Sequence, residues 1–233
     1  MASPDSLHST ALEHLRVIRT LMERANIYRA VSAPAALIGG VLSLGLAAYQ
    51  WKPIPVLVGG YAMDDAGHHA RFLAAWLGVL VVTGILNLVL LSKEAGRKGE
   101  PMITDGLRMA LRALVPPMLT GGILGGCLIA LGHSPTLGAI VWILCYGLAL
   151  QATVSFAPRS IILLARSFLI TGQALVLFFF FKDQTGFREQ NTSDAALILG
   201  FTFGLYHIIY AIAVFVSRPR PAETDAERFI EAP

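Results

Sequence analysis

The chain has 233 residues, 55% of them hydrophobic and only 14% charged, with a mean hydropathy of +0.64. A soluble globular domain carries about 25% charged residues, so these figures exclude an ordinary water-soluble fold. The net charge of +3 follows the placement of Lys and Arg described below and implies no nucleic-acid partner.

The first 29 residues predict an amphipathic interfacial helix, not a span. Thr10 and Glu13 fit a capping box at its start. Ala11, Leu15, Ile18, Met22 and Ala25 form one apolar stripe, with Arg16, Arg19 and Glu23 on the other faces. Such a helix can rest on the anionic cytoplasmic leaflet or pair with a partner helix. No signal-peptide pattern precedes the first apolar run.

Residues 30–217 predict a six-span transmembrane domain, and 218–233 a cytoplasmic tail. The expected spans are 31–49, 72–91, 113–131, 137–156, 161–181 and 195–216, and none contains an acidic residue. About 20 apolar residues cross a hydrocarbon core of roughly 30 Å, and backbone pairing in lipid demands helix. The fold class is therefore all-α, a six-helix transmembrane bundle. Of the 18 Lys and Arg residues, all but Lys52, Arg71, Lys182 and Arg188 fall on one side of this threading. The positive-inside rule then puts both termini in the cytoplasm.

The segment Leu15-Arg16-Val17-Ile18-Arg19-Thr20-Leu21-Met22-Glu23-Arg24-Ala25, together with Phe203-Gly204-Leu205-Tyr206-His207, resembles a family of uncharacterised bacterial polytopic integral membrane proteins. The resemblance implies a bacterial inner membrane and carries no activity with it.

Small residues mark where helices should approach. In span three, Gly121, Gly122, Gly125 and Gly126 form two overlapping small-xxx-small pairs, and in span six Gly200 and Gly204 form another, extended to Ala211. Pro116 and Pro117 should bend span three.

Three groups of polar residues are candidates for function. Arg166 lies about 10 Å inside the cytoplasmic edge of span five by helical rise, at the expected level of Gln151 in span four. Arg112 and Gln173 extend a net-positive patch. Arg166 either snorkels to lipid phosphates or holds an anion or polar head group with Gln151. His207 stands mid-span in span six, with Tyr210 one turn on and Phe203 one turn back. A histidine there can be structural, relay protons or bond a quinone carbonyl. Bis-histidine haem is disfavoured because no second His shares its depth. At the outer mouth, Asp64 and Asp65 cap the second helix or pair with His68 and His69 at i, i+4. Those four residues can bind Zn or Cu at the surface.

Cys127 and Cys145 form neither a disulfide framework nor a zinc pattern. Phosphate loops, His-Glu-x-x-His and nucleophile elbows are missing from the sequence. Two function classes remain. One is a non-enzymatic membrane subunit or regulator, contacting other chains, or itself, through glycine-lined faces. The other is a binding or transport protein for an anionic or amphipathic molecule such as a lipid or quinone. No other cofactor is expected.

Overall fold

The computed structural model describes residues 32–51, 65–99, 103, 105–155, 157–182 and 192–217. The expected N-terminal amphipathic helix, Asp64 and the C-terminal tail lie outside them. All regular structure among the described residues is helical. We label the helices α1 (Ala33–Trp51), α2 (Asp65–Lys98), α3 (Asp105–Ala130), α4 (Pro135–Gln151), α5 (Arg159–Lys182), α6 (Thr192–Leu199) and α7 (His207–Val216). A π-helical segment, Gly200–Tyr206, joins α6 to α7 into one continuous rod.

Local chemistry explains the boundaries. Gly99, at φ 65°, ends α2 in the left-handed conformation that glycine adopts without a Cβ penalty. Between α3 and α4 the chain turns back sharply. Gly132 N–H donates to the Cys127 carbonyl at 3.1 Å and Ser134 N–H to the Leu128 carbonyl at 2.9 Å. Pro135 then opens α4, where its missing N–H has no helical partner to lose. Pro116 and Pro117 sit inside α3, which runs on through them. Their rings remove two helical donors, and Thr120 Oγ1 bonds the Pro116 carbonyl at 2.9 Å.

Five helical rods are long and apolar enough to cross a bilayer: α1, α2, α3, α5 and the α6–α7 rod. The outer surface agrees, since Val81, Ile85, Leu119, Ile123, Leu163 and Ile170 are all exposed. Water tolerates so apolar a surface poorly, and the fold is compatible with a multi-pass membrane protein.

The fourth expected span is shorter than foreseen. The sequence suggested 137–156, but α4 has 17 residues and ends at Gln151, with a turn over Ala152–Ser155. Pro158 disfavours helix just before it and starts the next one. Nine residues of α4 are buried, so this helix packs chiefly against protein and forms the middle of the bundle.

Packing follows small residues. α1 lies along the α6–α7 rod, α4 lies between α3 and α5, and α2 leans on α1 and more lightly on α3. A Cβ at Gly200 would overlap Ala47, and one at Gly204 would come within 2.8 Å of Leu44 side-chain atoms. On α1, a Cβ at Gly40 would lie 2.8 Å from the Gly204 carbonyl oxygen. In α3 the glycines divide: Gly121 rests on Cys145 and Gly125 on Trp142, while Gly122 and Gly126 meet nothing within 4 Å.

Candidate functional site

His207 begins α7 where the π segment ends. Its Nδ1 is 2.8 Å from the Phe203 carbonyl oxygen. A carbonyl only accepts, so Nδ1 carries the proton. In the neutral ring, Nε2 is then an acceptor, and Tyr146 of α4 donates its hydroxyl to it at 2.8 Å. The π turn supplies this arrangement, since the histidine and the carbonyl it bonds flank its last residues. Such segments are frequent at functional positions.

Aromatic rings fix the pair. Phe203 stacks on the imidazole, 6.0 Å between centroids and 10° between planes. Phe168 of α5 meets Tyr146 edge-on at 4.8 Å and His207 at 5.7 Å. Phe168 is fully buried, while Tyr206 beside it bonds Thr171 Oγ1 through its hydroxyl at 2.6 Å. Edge-to-face pairs at these separations add about 0.5–1.5 kcal/mol each beyond burial.

The pair forms part of the wall of an open cavity of about 190 Å³ lined by α1, α2, α3, α4 and the α6–α7 rod. Ala36, Val79, Leu80, Met118 and Trp142 are among its lining residues, and the lining is predominantly apolar. Two wall residues contain buried polar atoms without a partner, Thr83 Oγ1 and Trp142 Nε1. Thr83 is pressed against Gly39 and the Trp142 indole edge against Gly125. Each unpartnered group costs about 1–3 kcal/mol, which makes this wall locally unfavourable as it stands.

Helix α2 closes the cavity on one side and is held mainly at points. Ser32 N–H donates to Asn87 Oδ1 at 3.3 Å, and Trp76 Nε1 donates to Gln50 Oε1 at 2.9 Å. Near the start of α2 His68 Nε2 meets Thr192 Oγ1 at 2.6 Å.

The sequence candidates distribute unevenly over this structure. His207 lines the cavity, and Tyr210 is buried one turn beyond it. Gln151 lies level with Leu164 and Ala165, by the register that sets Gly147 on Phe168 and Leu169 and Gly172 on Ile143 and Leu144. Its Oε1 is buried without a partner. Arg166 is exposed, on the face of α5 opposite the buried Leu164 and Phe168, and no hydrogen bond joins it to Gln151. Arg112 and Gln173 are exposed as well, and none of these four lines the cavity. Asp65 opens α2, while His68 and His69 follow on its first turns. Among the described residues no group of three or more His, Cys, Asp or Glu is placed to hold a metal ion.

Tyr146, Phe168, Trp142 and Thr83 escaped the sequence reading. Tyr146 carried a usable signal, because it falls mid-span in span four at the depth of His207. Trp142 and Thr83 looked like ordinary span residues.

No family model matches the chain, and comparisons with curated proteins and with solved structures gave no match.

Proposed function

We propose that this protein is a polytopic inner-membrane protein of a bacterium that binds an amphipathic small molecule, a lipid or quinone, in the cavity beside Tyr146 and His207. The observation that carries the reading is that cavity: apolar walls, one oriented histidine–tyrosine pair, and two wall residues with buried polar atoms lacking partners. Ligand sites are typically apolar concavities with a few convergent polar groups. The apolar body of the ligand occupies the space between α2 and α3, and its polar end lies toward His207. The Tyr146–His207 pair can hydrogen-bond a polar group, and the reading is one of binding or transport.

In this reading the chain crosses the membrane six times, with both termini in the cytoplasm. α4 crosses as a short span of about 25 Å by helical rise, surrounded mostly by protein. Its crossing keeps Arg159 and Arg166 on the same side as Arg108 and Arg112, as the positive-inside rule favours. A reporter fused after Pro233 that works only outside the cytoplasm stays inactive; activity there contradicts the threading.

The binding reading is tested by extracting the protein into polymer discs directly from its membrane and weighing the bound small molecules. One lipid-like species enriched over bulk lipid is expected, and Val79→Trp, which fills the cavity, removes it. A composition equal to bulk lipid in both proteins defeats the proposal.

A second reading, a membrane subunit or regulator of a larger assembly, has one observation in its favour. A Cβ at Gly126 on α3 would meet nothing within 4 Å, and Ile123 one turn before it is exposed, which leaves room for a close-packing partner helix. Under that reading native extraction recovers other polypeptides, or a self-associated form, and Gly126→Leu disperses them.

A further inference from the structure

The cavity makes no use of a second cluster, at the outer end of the bundle. His69, in the second turn of α2, and His133, in the turn between α3 and α4, bring their Nδ1 atoms to 3.1 Å. Their ring centroids are 5.2 Å apart with planes at 56°. The two residues are 64 positions apart in sequence, so tertiary structure makes the meeting. His133 sits at φ 48°, in the left-handed region where histidine, like asparagine and aspartate, is enriched among non-glycine residues. Two imidazole nitrogens this close must share something. Facing lone pairs repel, as do facing N–H groups, so either a proton or a cation lies between them.

We propose that His69 and His133 form a two-point site for a transition-metal dication of the Cu2+ or Zn2+ class, completed by water. An ion holding two nitrogens at about 2.1 Å in tetrahedral geometry separates them by about 3.4 Å, so the rings need to move only about 0.3 Å. His133 is exposed and His69 half-buried, so water reaches the remaining coordination positions. His68 takes no part, since its Nε2 meets Thr192 Oγ1. The site thus differs from the one expected along a single helix: it joins α2 to the α3–α4 turn, and one ligand comes from each. With two protein ligands among the described residues the affinity is modest and follows the Irving–Williams order, Cu2+ above Zn2+. Bound metal clamps the outer end of α2 to its neighbour.

The test uses the full-length, tag-free protein in lipid nanodiscs, titrated separately with Cu2+ and Zn2+. One equivalent binds, and the Cu2+ electron spin resonance spectrum shows coupling to two imidazole nitrogens. His133→Asn, which tolerates the left-handed backbone, and His69→Gln each weaken binding at least tenfold, while His68→Gln leaves it unchanged. The spectrum of the unaltered protein needs no variant to fold. Coupling to one nitrogen, binding that survives His133→Asn, or binding no greater than that of empty nanodiscs would overturn the proposal and leave a shared proton between the rings.

Discussion

Helix α2 and the α6–α7 rod are nearly equal in apolarity, yet they live differently in the fold. About a third of the rod's apolar stretch is buried, against very little of α2's. The rod meets α1 through Gly200 and Gly204, where side chains of α1 reach its backbone. On α2, Gly78 and Gly84 meet nothing within 4 Å; buried Phe72 and Trp76 anchor its first half, and polar contacts at Asn87, Trp76 and His68 add to them. Hydropathy decides that a segment enters lipid. Small residues and isolated hydrogen bonds decide how firmly it is then fixed. A loosely fixed wall is also the natural route into a cavity from the membrane.

The comparison can be broken most severely at the glycines. Gly204→Leu should cost more than about 2 kcal/mol, since the new side chain drives into Leu44, whereas Gly84→Leu on α2 should cost almost nothing. Thermal unfolding in one detergent reads both; equal losses would end the distinction. Next in size is Tyr146→Phe, which leaves His207 Nε2 without its donor and should cost about 1–3 kcal/mol. The same unfolding assay reads it, and an unchanged midpoint would mean that the pair is not a structural unit.

Smaller effects sharpen the picture of α2. Asn87→Ala should cost about 0.5–1.5 kcal/mol and raise hydrogen exchange along α2 but not along α4. Exchange that rises equally in both would contradict point attachment. Smallest is Thr83→Val, which removes a buried hydroxyl that has no partner. It should be neutral or stabilising by up to about 1 kcal/mol, and a clear loss would reveal a partner for that oxygen.

Much of this architecture was legible before any coordinates. The apolar runs located the helices to within a few residues at most ends, because lipid permits few alternatives for the backbone. The close approach at Gly200 and Gly204 was also readable. The end of α4 was not, because apolarity alone does not register the turn that precedes Pro158. Facing was hidden too. Depth follows from sequence, so Arg166 could be placed at the level of Gln151, but the side of α5 on which it lies depends on which residues α4 covers. The His207 partner required knowing that α4 packs beside the rod, and the π segment that sets its hydrogen bond has no periodic signature.

The most direct measurement is a density map of the protein extracted with its native lipid. The account predicts elongated non-protein density between Val79 and Met118, its polar end toward His207 and Tyr146. A map with α2 packed flush against α3 and no space between them would contradict it.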